Sequence, residues 1–483
     1  MGLRVLVCAS EVVPFAKTGG LADVAGALPK ALAALGHDAR VALPRYGSIE
    51  LASVGARPVG EPFTVVMGAE PAQVQVYQSG AIPGVPAYLV DCPKYFDRPG
   101  LYGQADDVER FALFCRGLLE FLRRAEWQPQ VIHANDWQAG LLPVYLRKTY
   151  AKDPRMASVA TLFTIHNLAY QGVFGADVLY RIGLDESLFT LNGLEFYGQV
   201  NLMKGGLEFA DLLNTVSETY SKEIQTPEFG ERLDGVLAAR RADLFGVLNG
   251  LDYDEWNPAT DPHLAAPYSR DDPRPKAENK AALQRRLGLP VRPETPLLGL
   301  VSRLATQKGV DLLAEAMPHL LQLGVQLALL GTGEQEYHDL LSRLAQQHPR
   351  QVGLVLGFDN PLAHQIYAGS DLFLMPSRYE PCGLGQMISL RYGTIPVVRH
   401  TGGLADTIVD LTQNPEQGNG FSFREPTALA FFGALARALL TLGAPQTWQR
   451  VVARAMACEF SWQRSAQAYV ELYQRALSRR RGR

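Results

Sequence analysis

The sequence predicts an α/β protein built as two similar halves. Three observations carry that prediction. Short apolar runs alternate with longer segments of helical period along the chain, the pattern of successive βαβ units. The hexapeptide Thr-Gly-Gly-Leu-Ala-Asp occurs twice, at 18–23 and 401–406, each time where a strand–turn–helix unit is expected. The alternation breaks once, over 249–296, where Asn249-Gly250 signals a turn and a polar stretch rich in Pro and Asp opens at Trp256; then it restarts.

In the first half, residues 4–9 are apolar apart from Arg4 and are closed by Glu11 and Pro14. The run is too short for a membrane span or a signal core and reads as a buried first strand. A helix over 21–35 follows the Gly pair and stops at Gly36, which suits the position after a helix end. Further strands are expected at 39–43, 87–91, 131–134, 159–164 and 212–217, with helices over 108–125 and 138–148. In the second half, strands are expected at 297–301, 326–330, 352–356, 371–375 and 395–398, and helices start near Val310, Glu334, Leu362, Gly385 and Ala405. Residues 462–478 form an amphipathic helix with Ala466, Tyr469, Val470, Leu472 and Tyr473 on or near one face. The basic run 479–483 reads as a frayed, solvated terminus. The expected domains are 1–248 and 249–459, with 460–483 packing back on the first.

At 483 residues the chain has the length of two domains, and 47% hydrophobic content supports a core in each. The charges nearly balance, 46 basic against 49 acidic, so nucleic acid is not an expected partner: phosphate backbones are bound by concentrated positive charge. Cys8, Cys92, Cys115, Cys382 and Cys458 are scattered and odd in number. That predicts neither a disulfide framework nor a zinc site and fits a reducing cytosol. No targeting or membrane segment is evident, so a cytoplasmic location is the expectation.

The densest chemistry lies in the second half: Ser302-Arg303-Leu304, Gln307-Lys308-Gly309, Glu380-Pro381-Cys382-Gly383-Leu384 and Thr401-Gly402-Gly403-Leu404. Each follows a predicted strand, and ligands of open α/β sheets bind at the carboxyl ends of strands. Arg303, Lys308, Glu380 and the Gly402-Gly403 turn are therefore expected in one cleft. Two cations five residues apart suit a diphosphate, the guanidinium as a planar fork and the ammonium as a point charge. A Gly pair opening a helix lets backbone N–H groups approach an anion. No Asp-x-Asp pair or His/carboxylate cluster is placed to hold a divalent ion, so no metal is expected. Asp136 also reads as a cap for the helix starting near Trp137. His133, Glu109 and Asp91 receive no role.

Lys17-Thr18-Gly19-Gly20-Leu21, His133-Ala134-Asn135-Asp136-Trp137, Thr164-Ile165-His166-Asn167-Leu168-Ala169-Tyr170-Gln171-Gly172, Val247-Leu248-Asn249-Gly250-Leu251-Asp252, 302–309 and 380–384 together closely resemble the motif set of bacterial glycogen synthases and plant starch synthases. The match keeps the family's order from the first strand to the last helix. The resemblance implies a GT-B fold, two Rossmann-like domains whose parallel sheets face each other across a deep cleft. It implies transfer of glucose from a nucleoside-diphosphate glucose, usually ADP-glucose in bacteria, to the non-reducing end of an α-1,4-glucan such as glycogen or a maltooligosaccharide, with retention of configuration. It implies neither metal nor pyridoxal phosphate.

The resemblance also implies roles. Arg303 and Lys308 match the pair that binds the donor diphosphate, and Lys17 matches the lysine that reaches the distal phosphate from the other domain. Gly20 and Gly403 are expected to offer backbone N–H groups to phosphate or sugar oxygens, with Gly19, Thr401 and Gly402 beside them on the donor side. Glu380 matches the essential acidic residue at the transferred glucose, and Cys382, Gly383 and Leu384 complete its loop. Asp136, His166 and Asn249 match residues of the sugar pocket, and Asp23 is a further candidate there. Phe358 stands where a tyrosine usually stacks on the base and keeps the π-face. Ile388 stands where many retaining GT-B enzymes carry a second carboxylate for the ribose, an absence that glycogen and starch synthases tend to share.

A UDP-glucose-using glucan synthase or another retaining GT-B glycosyltransferase is the alternative within the fold. A dinucleotide-dependent oxidoreductase would need Gly-x-Gly-x-x-Gly after an early strand. The nearest match, Gly331-Thr332-Gly333, lies in the second half and has Glu336 where the third Gly belongs. A glucan binder without activity would be expected to lack Lys17 or Glu380, and α-glucan phosphorylases are normally much longer. The donor base, acceptor length and oligomeric state stay open.

Overall fold

The computed structural model describes residues 2–68 and 70–482. The chain divides into two compact units, Met1–Gly250 together with Trp462–Arg483, and Leu251–Ser461.

In the first unit, parallel strands lie in the spatial order Leu244–Gly246, Leu212–Thr215, Ala160–Ile165, Val131–Asn135, Arg4–Cys8, Asp38–Pro44 and Val85–Asp91. Val5 lies opposite Ala39 on one side and Val131 on the other. These strands are near-continuous apolar runs because helices cover both faces. Beyond Val85–Asp91 the sheet becomes antiparallel: Glu70–Ile82 pairs with it and in turn with Arg57–Pro58 and Phe63–Met67. This extension falls outside the expected strands, although its alternation is visible. Ala72, Val74 and Val76 are buried while Gln73 is exposed.

The C-terminal helix Trp462–Arg481 packs on helix Gly20–Ala34 and on strand Ala160–Ile165. Its buried residues include Trp462, Ala466, Tyr469, Leu472, Tyr473 and Ala476. His133, which had no role from sequence, holds this helix. Tyr473 donates to His133 Nδ1 (2.9 Å), His133 Nε2 donates to Thr164 Oγ1 (2.5 Å), and Thr164 donates to Asn214 Oδ1. Asn214 Nδ2 then donates to Tyr469 (3.2 Å). The expectation that 479–483 frays is corrected. The helix continues through Arg481, Arg479 pairs with Asp243 (2.6 Å), and Arg480 donates to the Ala157 carbonyl (2.8 Å). Charge alone marked this run as solvated; its acceptors come from distant loops. Arg483 lies outside the described residues.

In the second unit the strand order is Val352–Leu356, Gln326–Gly333, Leu297–Leu304, Leu372–Met375, Ile395–Arg399 and Phe421–Phe423, all parallel. The strand Leu297–Leu304 runs three residues beyond the expected 297–301, so Arg303 sits on its carboxyl end. The Pro- and Asp-rich stretch is fastened down. Buried Asp261 accepts from His364 Nδ1 (2.7 Å) and from the Tyr392 hydroxyl (2.6 Å), and Trp256 stacks on His364 at 4.1 Å. At the end of this unit Leu251 N–H donates to Phe460 O (2.7 Å), so the segment that leaves the first unit and the one that returns are hydrogen-bonded together. Among the described residues no single helix is long and apolar enough to cross a membrane.

Candidate active site

Three loops at the carboxyl ends of parallel strands meet around Glu380 in the second unit. From the loop after Leu297–Leu304, Lys308 Nζ reaches Glu380 Oε2 at 2.5 Å. From its own loop, Ser377 Oγ donates to the same oxygen (3.1 Å). Gln307 ties these two loops, accepting from Arg378 N–H on its carbonyl (2.8 Å) and donating from Nε2 to Tyr379 O (3.3 Å). Glu380 is buried, Lys308 is partly so, and Arg303 is exposed, donating to Gln307 Oε1 at 3.1 Å. Phe358, beyond Val352–Leu356, is 86% exposed and presents its ring to solvent. Cys382 is buried, and its carbonyl and that of Gly383 accept from Gln386. Leu384 sits at the N-cap of helix Gly385–Arg391.

The third loop corrects an expectation. Gly403 N–H is not held out to a ligand: it donates to Glu380 O (3.1 Å) and Pro381 O (3.2 Å). Thr401, Gly402 and Gly403 are all buried against this loop. Gly402 has φ +46, and a Cβ there would lie 2.0 Å from Glu380 O. The second glycine pair therefore positions Glu380. Gly402→Ala combines a left-handed backbone with a clash on main-chain atoms. It is expected to destabilise the protein by roughly 2–4 kcal/mol and to impair activity. An unchanged melting temperature would disprove the tight fit.

In the first unit, the turn after Arg4–Cys8 is organised by Glu11, which sequence reading used only as the stop of the first strand. Its buried carboxylate accepts from Thr18 N–H and Thr18 Oγ1 (2.7 Å), Gly19 N–H (3.0 Å) and the Tyr102 hydroxyl (2.6 Å). The signal was an acidic residue between a buried strand and a Gly pair. An internal carboxylate thus fills part of the first turn, while Gly20 opens the helix at an exposed position. Lys17 is half-exposed and pairs with Asp23 at 2.7 Å. Asp136, beyond Val131–Asn135, has φ +57, and its carboxylate accepts from His166 N–H (2.8 Å). The expected capping role is corrected: Asn135 holds the N-cap position of helix Asp136–Ala139, and no side chain caps it. Asn249 is buried, and its Oδ1 has no partner in the protein.

The family model of the starch synthase catalytic domain matches residues 4–239, and that of group 1 glycosyl transferases matches 286–447. The glycogen synthase of Syntrophotalea carbinolica is 52% identical over 480 residues, covering 98% of this chain and 99% of that protein. The chain belongs to the glycogen and starch synthase family. Glycogen synthase from Moorella thermoacetica is 51% identical over 484 residues, covering 99% of this chain and 98% of that protein. The catalytic domain of starch synthase IV from Arabidopsis thaliana, solved with ADP and acarbose, matches with a TM-score of 0.93 and 37% identity over 99% of this chain and 100% of that one. This family member is a GT-B glycosyltransferase. A sucrose-phosphate synthase from Thermosynechococcus elongatus shares the fold alone, with a TM-score of 0.60 and 18% identity over 99% of each chain.

Electrostatics distinguish the first-unit residues of this glycosyltransferase. Asn135 Nδ2 donates to Cys8 O and His133 O, which leaves its Oδ1 to accept from His166 Nε2 (2.9 Å). His166 therefore carries its lone pair on Nδ1. Burial holds His166 down at about 3, and burial with the nearby His166 holds His133 at about 3. Burial pushes Asp136 up to about 7; the His166 and Asn167 N–H groups oppose this, and the Glu11 charge adds to it. Near neutral pH the Asp136 carboxyl can thus either accept or donate a hydrogen bond.

These shifts set a pH dependence of stability. Both histidines lie below their ordinary 6.5, so their contribution is present above that value and lost as pH falls. Asp136 lies above its ordinary 3.8, so its contribution is present at low pH and lost as pH rises through about 7. Below pH 6.5 each histidine costs about 1.4 kcal/mol per pH unit and Asp136 offsets about one of them. Urea unfolding between about pH 6 and 5 is expected to show Asp136→Asn steepening the loss by about 1.4 kcal/mol per unit and His133→Gln flattening it by as much. Three equal slopes would refute this assignment.

Proposed function

We propose that the chain transfers glucose from ADP-glucose to the non-reducing end of an α-1,4-glucan, such as glycogen or a maltooligosaccharide, with retention of configuration. The observation that carries this reading is the Lys308–Glu380 pair, its carboxylate buried and its ammonium partly so, held by three strand-end loops with Arg303 exposed beside it. In this reading Arg303 and Lys308 bind the diphosphate and stabilise the charge that develops on the leaving ADP. Lys17 adds a charge at the distal phosphate. Glu380 orients the transferred glucose, and the exposed Phe358 ring stacks on the base. Asp136, His166 and Asn249 meet sugar hydroxyls, with Asn249 Oδ1 and His166 Nδ1 as acceptors.

Retention follows if the acceptor hydroxyl attacks on the face from which the diphosphate departs. The C1–O bond to ADP breaks, the new C1–O bond forms on the same side, and a departing phosphate oxygen takes the proton. Glu380 is engaged with Lys308 and Ser377, which suits positioning better than attack at C1.

Initial rates with ADP-glucose and UDP-glucose on glycogen, side by side, test the proposal. A higher kcat/KM for ADP-glucose, with product digested as an α-1,4-glucan, is expected. Faster transfer from UDP-glucose would favour the alternative donor, and no transfer from either would overturn the reading. Among the described residues no group of three or more His, Cys, Asp or Glu is arranged to hold a metal ion. Activity is expected to survive EDTA, and a strict need for Mg²⁺ or Mn²⁺ would contradict this site.

A further inference from the structure

We propose that Tyr197, backed by Arg232, is the stacking platform of an acceptor-glucan subsite on the first unit; this rests on the function proposed above. Strands Glu195–Phe196 and Gln199–Asn201 pair through the two-residue loop Tyr197-Gly198. Both loop residues have positive φ, +50 and +79. That turn is filled without strain by Asn-Gly or Gly-Gly, and a bulky aromatic residue there is strained. Burial does not compensate the strain, because Tyr197 is 69% exposed.

The ring is nevertheless held in place. Phe196 meets it at 4.9 Å with the rings at 86°, and the Arg232 guanidinium lies 4.8 Å from its centroid. Arg232 itself has φ +69 and follows Glu231 at +48. Two strained loops thus come together to present one solvent-facing phenol. Strain of this kind persists where the surrounding structure over-determines it, and such places are frequently binding sites.

The platform connects to the sugar-binding residues. Gln171 donates to Glu231 O (2.9 Å) and accepts from Asn201 Nδ2 (2.6 Å), so it ties the Glu231-Arg232 loop to the strand that follows the Tyr197 turn. The next residue, Gly172, lies against the Trp137 indole, where a Cβ would come within 2.3 Å of the ring. Trp137 directly follows Asp136. A glucan chain bound at Asp136 and His166 would therefore have an aromatic face at hand for a more distal glucose. Glucose stacks its C–H face on such rings, while the phenol hydroxyl and the guanidinium edge can meet its hydroxyls. A cation already engaged on a ring suits a neutral polyhydroxyl ligand better than a phosphate.

Calorimetry of maltoheptaose binding without donor, together with acceptor KM for maltotriose and glycogen, tests this. Tyr197→Ala is expected to weaken maltoheptaose binding roughly two- to tenfold and to raise KM for glycogen more than for maltotriose. Tyr197→Trp should restore binding. Tyr197→Asn should raise the melting temperature, since Asn suits the turn, while still weakening binding. Equal maltoheptaose affinity in wild type and Tyr197→Ala would overturn this inference alone. Failure of the wild type to bind maltoheptaose would overturn the proposed function and this subsite with it.

Discussion

Glu380→Gln is expected to fold like the wild type and to lose at least about a hundredfold in kcat, the scale of one preorganised catalytic group. The amide keeps the shape of the carboxylate and can still accept from Ser377, which donates at 3.1 Å. What it loses is the charge facing Lys308 at 2.5 Å. The ammonium then lacks the partner that fixes its direction, and under the proposed function the transferred glucose loses a strong acceptor. The measurement is kcat with saturating ADP-glucose and glycogen, alongside thermal unfolding. A folded Gln variant with near-normal kcat would remove Glu380 from the mechanism.

Lys308→Ala is expected to be more damaging, by at least about a thousandfold in kcat, because the attraction of this cation grows as the leaving diphosphate gains charge. It should also lower stability by roughly 3–5 kcal/mol, since it leaves the buried Glu380 carboxylate without its counter-charge. Arg303→Ala separates the two effects. Arg303 is exposed and lies beside the pair rather than within it. Its loss should reduce kcat/KM severely with little change in melting temperature. If Arg303→Ala and Lys308→Ala changed stability alone and left the kinetics intact, both cations would be structural and the diphosphate assignment would fail.

Much of this was legible before any coordinates. Parallel strands buried on both faces are short apolar runs, and the ligand-facing residues of such sheets come directly after them. Arg303, Lys308, Glu380, Asp136 and His166 could therefore be placed at strand ends from spacing alone. The antiparallel extension at Glu70–Ile82 was missed because only one of its faces is buried, so its signal is alternation rather than a run. Glu11 was missed for a different reason. A lone carboxylate after a strand has no periodicity, and its importance comes from four donors supplied by Thr18, Gly19 and Tyr102.

The repeated hexapeptide shows where local information stops. In both copies the six residues determine a turn leading into a helix: Gly20–Ala34 begins inside the first copy and Gly402–Thr407 inside the second. Propensity and the freedom of glycine suffice for that. The register and surroundings differ. The first helix has Gly19 at its N-cap and an exposed turn whose N–H groups partly serve Glu11; the second has Thr401 at its N-cap and is buried, with Gly403 N–H on the Glu380 carbonyl. A backbone N–H takes whichever acceptor the packing brings within reach, and those acceptors come from other segments of the chain. Local sequence suffices for each hexapeptide to start a helix; packing against distant segments leaves the first turn exposed and sets the second against the Glu380 loop.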